Sequence, residues 1–349
     1  MRALTFTPGK QGTLAVEEIP DPAPGTGELL VQGLALGVCG TDRELITAEY
    51  GWPPPGKERM VLGHESLGRV LEVPEGSAYS PGDLVVGVVR RPDPVPCGAC
   101  RRGEFDMCRN GQYTERGIKE IDGYASERWT VEGAYAVRLD PSLESVGMLV
   151  EPASVVAKAW EQIERIGSRA WFEPHTLLVT GAGPIGLLAA LMGRQRGLEV
   201  HVLDRSPAGL KSRLVEDLDG TYHSGTSLKE LTTVRPDVII ECTGAGTLVI
   251  DAMVGTAAAG IVCLAGLSPG GRAHRVDAGL INRDIVLEND VVFGSVNANL
   301  RHYRDAADAL VKADVGWLER LITRRVPLSR ALDAFERGHD VKVVIDLTA

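Results

Sequence analysis

Four side chains in the first half of the chain supply the ligand types that a catalytic zinc ion uses. They are Cys39, His64, Glu65 and Glu151. A thiolate, an imidazole and carboxylates can hold zinc and leave one position open for a substrate oxygen. Taken singly, each residue has an ordinary structural explanation as a small buried cysteine, a turn histidine or a surface acid. Their occurrence together, upstream of a nucleotide-binding segment, favours a metal site.

The segment Gly181-Ala-Gly-Pro-Ile-Gly186 has the form of a turn that binds a dinucleotide. Gly181 permits the tight turn, Gly183 lets the backbone approach a pyrophosphate, and Gly186 allows close packing of helix on strand. Pro184 and Ile185 lie in the same turn, just before the following helix, whose N-terminal N–H groups attract phosphate. The alternative is a glycine turn in another kind of α/β protein.

The elements around this turn fit the dinucleotide-binding unit. The sequence predicts a buried parallel strand at 176–180, a helix at 187–196 and a second strand at 198–203. Asp204 ends the second strand, 21 residues after Gly183, where an acid binds the adenosine ribose. Strand, glycine turn, helix, strand and acid therefore occur in the expected order.

The same acid bears on the choice of nicotinamide cofactor. Asp204 slightly favours NAD, because a carboxylate accepts from the ribose 2′-hydroxyl and repels a 2′-phosphate. Arg205 and Ser206 follow directly, with Lys211 and Arg213 close behind. Arg205 could hold that phosphate if Asp204 turned away. Both NAD and NADP stay open at this point.

The rest of the chain predicts two domains of different kinds. Residues 1–155 are rich in Gly, Pro and Val and predict an irregular β-rich domain that is completed by 299–349, whereas residues 156–298 predict the nucleotide-binding α/β domain. Further predicted strands lie at 29–38, 84–89, 237–242, 260–267, 291–296 and 341–346, and helical patterns lie at 149–166, after 248 and from 303 onward. The terminal strand is expected to rejoin the first domain.

Composition excludes several classes of function. The net charge is −10 and there is no basic run, so a nucleic-acid partner is not expected. No stretch approaches 18 apolar residues and the N-terminus lacks a signal-peptide core, which predicts a cytoplasmic protein without a membrane span. Clustered cysteines in such a chain indicate metal binding rather than disulfides.

Several motifs in a fixed order resemble the zinc-dependent medium-chain dehydrogenases. They are Gly37-Val-Cys-Gly-Thr-Asp42, Gly63-His-Glu65, a cysteine cluster and Gly181-Ala-Gly-Pro-Ile-Gly186. The resemblance covers essentially the whole chain. It implies an α/β protein with a GroES-like β-rich catalytic domain and a Rossmann domain with a doubly wound parallel sheet. It also implies that Cys39 and His64 bind zinc with Glu65 beside or on the metal, and that Thr41 relays the substrate's hydroxyl proton.

Other segments resemble the archaeal-type glucose (aldose) 1-dehydrogenases within that family. They are Val89-Arg-Arg-Pro92, Tyr113-Thr-Glu-Arg-Gly117, Leu149-Val-Glu-Pro152 and Gly294-Ser-Val-Asn297. The resemblance implies that Glu115 and Asn297 bind sugar hydroxyls and that Glu151 lies near zinc and a substrate hydroxyl. The alternative for Glu115 is a surface ion pair with Arg116. Implied later contacts with the cofactor are Thr243, Leu267, Ser268, Ser295, Val296 and Asn297.

Cys97, Cys100 and Cys108 resemble the structural-zinc lobe of the family, with one cysteine fewer than the usual four. Structural zinc normally has four protein ligands. Either Glu104, Asp106 or another group completes the site, or zinc binds weakly or not at all. A redox pair at Cys97 and Cys100 is a further alternative. A structural zinc ion is the favoured interpretation.

These features together predict oxidation of the C1 hydroxyl of an aldose such as D-glucose to the lactone, with zinc as Lewis acid and hydride transfer to NAD or NADP. The alternatives are a dehydrogenase of the same family acting on a polyol, threonine or another secondary alcohol, and a non-catalytic nucleotide-binding redox sensor. By analogy with the fold, a homodimer or homotetramer is expected, with the run 286–296 as its candidate interface.

Overall fold

The computed structural model of the chain describes residues 1–231, 234–268, 270–271, 273–336 and 338–349. Contacts divide the chain into two units. The first unit is Met1–Ser154 with Asn297–Ala349, and the second is Val155–Val296. No helix among the described residues is long and apolar enough to cross a bilayer.

The N-terminal part of the first unit is made of short strands and turns. Its strands are β1 (Arg2–Phe6), β2 (Ala15–Glu18), β3 (Glu28–Val38), β4 (Met60–Val61), β5 (Glu65–Glu72), β6 (Leu84–Gly87), β7 (Arg90–Arg91), β8 (Thr114–Arg116), β9 (Glu120–Ile121), β10 (Arg128–Glu132) and β11 (Ala136–Arg138). Its helices are α1 (Gly40–Ile46) and α2 (Gly98–Arg101), and α3 (Val150–Gly167) begins here. Short 3₁₀ turns include Phe105–Met107 and Gly147–Leu149.

The second unit alternates strands and helices. Its strands are β12 (Thr176–Thr180), β13 (Glu199–Leu203), β14 (Thr221–His223), β15 (Val238–Glu241), β16 (Ile261–Leu264) and β17 (Val291–Gly294). Its helices after α3 are α4 (Pro184–Gln195), α5 (Leu210–Glu216), α6 (Gly246–Ala252) and α7 (Ala278–Glu288). The chain then returns to the first unit with α8 (Leu300–Val311), α9 (Val315–Leu321), β18 (Ile322–Pro327) and β19 (Lys342–Asp346).

The sheet of the second unit is parallel, with the strand order β14-β13-β12-β15-β16-β17. Leu177 to Thr180 of β12 are all buried, because parallel strands in the centre of such a sheet are covered on both faces. The predicted strand at 176–180 is confirmed, and the others are confirmed within one to three residues at their ends. The prediction missed β14, so the strand at Val238–Glu241 is the fourth strand of the second unit rather than the third.

The main sheet of the first unit is built on β3, which pairs with β5, β10 and β19. Leu29 and Val31 are buried and Gln32 is exposed, which is the alternation of a strand with one face on the core. The terminal strand β19 lies antiparallel to β3, which confirms that the end of the chain rejoins the first unit. The helices expected from residue 303 onward are confirmed as α8 and α9, whereas β18, which precedes β19 and pairs with it, was not predicted.

Candidate active site

Cys39 and His64 meet where β3 ends and the neighbouring antiparallel strand β5 begins. Cys39 follows β3 and stands at the N-cap of α1, and His64 directly precedes β5. The pairing of Gly37 with Glu65 in these strands brings the two segments side by side. Cys39 Sγ lies 3.0 Å from His64 Nε2. The register of one strand pair therefore places the predicted thiol and imidazole together.

The carboxylate of Asp42 contacts both Cys39 and His64. Its Oδ2 accepts from the Cys39 N–H at 2.9 Å, and its Oδ1 lies 3.3 Å from His64 Nδ1. Burial raises the pKa of Asp42, but His64 and the Cys39 N–H lower it more, so the net direction is down. A carboxylate on the far nitrogen fixes the ring so that Nε2 faces the ligand position. Asp42 belongs to the predicted motif, although sequence reasoning gave it no role.

Lys342 is a member of the site that sequence reasoning missed. It lies on β19 and forms an ion pair with Glu65, and both side chains are 2% exposed. Burial would lower the pKa of Lys342, but Glu65 raises it, with a net rise. The one available signal was a lysine inside the apolar run 341–345, because Lys is almost never fully buried unless it is paired.

Glu151 and Thr41 border the same group of residues. Glu151 lies in the first turn of α3 and is half-buried. Burial raises the pKa of Glu151 to about 7, with His64 opposing and Glu65 reinforcing the rise. Thr41 is half-buried on α1, and its side chain lies beside the Tyr50 hydroxyl. Tyr50 also donates to Glu44 at 3.1 Å, so the hydroxyl of Thr41 is continuous with further polar groups.

The donor set at Cys39 suits a zinc ion. The ligand atoms of Cys39, His64 and Glu65 all lie within 4.8 Å of one another. Zinc bonds of about 2.0–2.3 Å at tetrahedral angles place the ligand atoms of one ion about 3.3–3.8 Å apart, which is within that limit. Glu151 is not part of that group. Burial raises the pKa of the Cys39 thiol, so a bound cation is what would favour its thiolate form.

The two residues expected to bind sugar hydroxyls are joined in the structure. Asn297 Nδ2 donates to Glu115 Oε1 at 2.6 Å. Arg90 donates to the same oxygen, from Nε at 3.1 Å and from Nη2 at 3.0 Å. The alternative of a surface pair between Glu115 and Arg116 is wrong, because Glu115 pairs with Arg90 and Arg116 lies beside Glu132. Sequence reasoning missed Arg90.

The three cysteines of the lobe also converge. The sulfur atoms of Cys97, Cys100 and Cys108 all lie within 4.8 Å of one another, and Cys97 Sγ is 3.6 Å from Cys100 Sγ. Bonds from the backbone N–H groups of Arg109 and Cys100 lower the pKa of Cys97 to about 6, which favours a metal-binding thiolate. Asp106 does not join this group of ligand atoms; its Oδ1 accepts from Asn299 instead.

The glycine turn of the second unit has the geometry that its sequence predicts. Gly181 has φ +93°, and a Cβ on Gly186 would lie 1.8 Å from the Gly181 carbonyl oxygen. A Cβ on Gly183 would meet nothing within 4 Å. Gly183 is also the N-cap of α4, which Pro184 and Ile185 begin. The backbone at this helix end is therefore open to a pyrophosphate.

Asp204 uses both carboxylate oxygens within the second unit. Oδ2 accepts from the Ala182 N–H at 2.7 Å, and Oδ1 accepts from the Ser206 N–H at 2.7 Å. Lys211 Nζ lies 3.3 Å from Oδ2. Burial raises the pKa of Asp204, but these bonds give a net decrease. Arg205 is exposed beside it and Ser206 is half-buried.

The remaining residues expected to contact the cofactor follow the ends of β15, β16 and β17. Thr243 and Gly244 are held by Glu241, which accepts from their N–H groups at 2.8 and 3.0 Å. After β16, Leu267 and Ser268 are exposed, and after β17 Ser295 is buried and Val296 exposed. Lys158 Nζ donates to the Val296 carbonyl at 2.9 Å. Sequence reasoning missed Glu241 and Lys158. The one indication of them in the sequence is a charged residue within an apolar segment.

Comparison with known families places these features in a class. Residues 25–141 match the alcohol dehydrogenase GroES-like domain, and residues 144–347 match the family described as glucose dehydrogenase C-terminus. The expected fold class, a GroES-like β-rich part with a Rossmann-type parallel sheet, is confirmed. Fold and site thus define an oxidoreductase of the medium-chain dehydrogenase class.

Individual relatives narrow this class. Glucose 1-dehydrogenase of Methanocella arvoryzae is 41% identical and covers 100% of both chains, and that of Thermoproteus tenax is 39% identical over 99% of both. A solved structure of Haloferax mediterranei glucose dehydrogenase, in complex with NADP, zinc and gluconolactone, matches with a TM-score of 0.92 at 34% identity over 99% of both chains. The chain belongs to the glucose dehydrogenase family of the zinc-dependent medium-chain dehydrogenases, as its motifs predicted.

Proposed function

We propose that this protein oxidises the C1 hydroxyl of an aldose such as D-glucose to the lactone and passes hydride to NAD or NADP. The observation that carries this proposal is the buried group of Cys39, His64 and Glu65, in a chain related over its whole length to glucose 1-dehydrogenases. The first unit serves as the catalytic domain and the second as the cofactor domain. The proposed catalytic domain comprises residues 1–155 and 299–349, and the proposed cofactor domain comprises residues 156–298.

In this proposal Cys39 and His64 hold zinc, with Glu65 and Glu151 beside or on the metal. Zinc, when bound, supplies Lewis-acid polarisation of the C1 hydroxyl. Asp42 keeps the His64 ring in place through Nδ1. Thr41 receives the hydroxyl proton and passes it toward solvent. Water held near Glu65 or Glu151 provides the second route for the proton.

The chain's other predicted residues orient substrate and cofactor. Glu115 and Asn297 bind sugar hydroxyls. Gly181, Gly183, Pro184, Ile185 and Gly186 take the pyrophosphate, and the adenosine ribose lies by Asp204, Arg205 and Ser206. Thr243, Leu267, Ser268, Ser295, Val296 and Asn297 contact the rest of the cofactor. NAD or NADP supplies the hydride acceptor.

Two further proposals concern the lobe and the assembly. We propose a structural zinc ion at Cys97, Cys100 and Cys108, and a cytoplasmic location, because both cysteine-containing groups bind metal only as reduced thiols. We also propose a homodimer, alone or paired into a tetramer, that forms through β17 and α7. β17 is an edge strand, and α7 has no buried residue although it carries Val286 and Leu287, which are 63% and 64% exposed.

The test is a substrate panel of glucose, galactose, xylose, sorbitol, threonine and ethanol, each with NAD and NADP, in the presence and absence of a chelator. We expect chelator-sensitive oxidation of aldoses. Cys39→Ser and His64→Ala should abolish turnover while cofactor still binds, whereas Cys263→Ser, at a buried thiol of the second unit, should keep it. Activity on sorbitol, threonine or ethanol alone would exclude the sugar roles of Glu115 and Asn297, and full activity in both zinc-ligand variants would exclude zinc catalysis.

A further inference from the structure

Glu115 is fixed by one carboxylate oxygen and leaves the other for a ligand. Oε1 accepts three hydrogen bonds, two from Arg90 and one from Asn297. Oε2 forms no hydrogen bond within the described parts of the chain, and the side chain is 12% exposed. Arginine often donates to both oxygens of a carboxylate in a bidentate pair. Here both Arg90 donors converge on one oxygen, so the second can accept from a bound molecule.

Asn297 is oriented by the same arrangement. Its Nδ2 donates one hydrogen to Glu115, and its Oδ1 accepts from the Ala298 N–H at 2.8 Å. An amide nitrogen carries two hydrogens, so one remains available. Oε2 of Glu115 and this N–H together present one acceptor and one donor. A sugar hydroxyl, which donates and accepts at once, matches that pair.

Arg90 is itself held at several points. It is 7% exposed, and its Nη1 donates to the Asp106 carbonyl oxygen at 2.9 Å. Its guanidinium carbon lies 3.7 Å from the centre of the Tyr113 ring. A planar group with a carbonyl on one edge, a carboxylate on the other and a ring on its face has no freedom to rotate. Arg90 therefore fixes the direction in which Glu115 points.

Asp106 connects both sugar-contact residues to the cysteine lobe. Its carbonyl holds Arg90, and its carboxylate oxygen Oδ1 accepts from Asn299 Nδ2 at 2.6 Å. Asn299 is 1% exposed and is the N-cap of α8, two residues after Asn297. Asp106 lies between Cys100 and Cys108 in the chain. One buried residue thus supports the segments that carry Glu115 and Asn297.

The turn that directly follows β8, the strand of Glu115, packs on the segment before His64. A Cβ on Gly117, which has φ +71°, would lie 2.5 Å from the Gly63 carbonyl oxygen. Only a residue without a side chain permits this approach. Because Gly63 directly precedes His64, the backbone two residues after Glu115 is fixed against the segment that carries the imidazole of the proposed zinc site.

We propose that Arg90 and Asp106 are positioning residues for sugar recognition. Arg90 holds Glu115 with Oε2 free, and Asp106 holds both Arg90 and the turn that carries Asn297. Glu115 and Asn297, held in this way, select aldoses with a hydroxyl that bonds to both side chains. Analogues that lack this hydroxyl are rejected, because the polar groups of Glu115 and Asn297 would be left unpaired. This inference rests on the proposed function.

The test compares Arg90→Met with Arg91→Met as a matched control. Arg91 is the next residue of β7, is 6% exposed and pairs with Glu132 at 2.7 Å, away from Glu115. We expect Arg90→Met to raise the aldose KM about tenfold or more and to reduce discrimination between glucose and its 2-, 3- and 4-deoxy analogues, with the cofactor KM unchanged. Arg91→Met should lower Tm comparably but change neither quantity by more than about twofold.

A double-mutant cycle separates positioning from general support. If Arg90 acts through Glu115, Arg90→Met should change kcat/KM by less than about twofold when Glu115→Gln is already present. An equal loss in both backgrounds overturns the proposal. For Asp106, Asp106→Leu should raise the aldose KM, and Asp106→Asn, which keeps an acceptor for Asn299, should restore it. Failure of that rescue also contradicts the proposed role.

The wild-type protein distinguishes this inference from the function on which it rests. If it oxidises no aldose, the proposed function fails and the positioning roles fail with it. If it oxidises aldoses while Arg90→Met behaves like Arg91→Met, only the positioning roles fail. Tm, measured for every variant, identifies any that does not fold.

Discussion

Replacing Lys342 with methionine should destabilise the first unit strongly, because it leaves the Glu65 carboxylate buried without its cation. Both side chains are 2% exposed, so water cannot replace the lost partner. Removing one member of a buried ion pair costs about 3–5 kcal/mol, whereas exposed pairs contribute about 0–1 kcal/mol. Methionine keeps most of the volume of lysine, so the loss is electrostatic rather than a cavity.

These free energies convert into a measurable shift. A change of 1 kcal/mol moves Tm by about 2–4 °C in a unit of this size, so Lys342→Met should lower Tm by about 6–20 °C. The pKa of Lys342 is raised above its ordinary 10.5, so the stabilisation is fully present below that value and is lost as the pH rises above it. Measurements at pH 7 to 8 therefore detect the whole effect.

The assay is thermal unfolding by calorimetry, with chelator present so that bound metal does not contribute. Lys57→Met is the matched control, because Lys57 is 58% exposed and pairs with Asp122 at 2.7 Å. That control should shift Tm by no more than about 2–4 °C. Lys342→Arg should recover much of the loss by keeping the charge. A shift for Lys342→Met no larger than that for Lys57→Met would refute the reasoning.

Two further predictions concern pH and assembly. Burial raises the pKa of Glu132, but Arg91 lowers it more, to about 2 from an ordinary 4.5. The stabilisation by Glu132 should therefore be present above pH 4.5 and be lost as the pH falls towards 2. The urea midpoints at pH 6 and pH 3 should differ less in Glu132→Gln than in the wild type, and an unchanged difference would contradict this prediction. If the proposed dimer forms through α7, Val286→Asp should give monomers in light scattering, whereas Val311→Asp, at a valine of α8 that is 45% exposed, should not change the assembly. A Val286→Asp protein that remains dimeric would exclude the α7 face.

Residue types and their local order in the sequence are enough to predict part of the fold and several residues of the candidate site. The strand at 176–180, the glycine turn and Asp204 were predictable because a buried strand, a tight turn and a helix end each require particular residues within a few positions. The ligand types at Cys39 and His64 were recognisable for the same reason. Thiol and imidazole are chemically distinctive wherever they stand, and the family motif around them is local.

Only the tertiary structure decided which distant side chains meet. Lys342 reaches Glu65 because β19 and β5 both flank β3, and Glu115 pairs with Arg90 rather than with its neighbour Arg116 because β7 and β8 lie in that register. Successive residues of a strand point to opposite faces, so a shift of one position would exchange every such partner. Register depends on the packing of whole sheets, and no local pattern encodes it. The types of the reacting groups can therefore be found in the sequence, whereas the partners that orient them come from the fold.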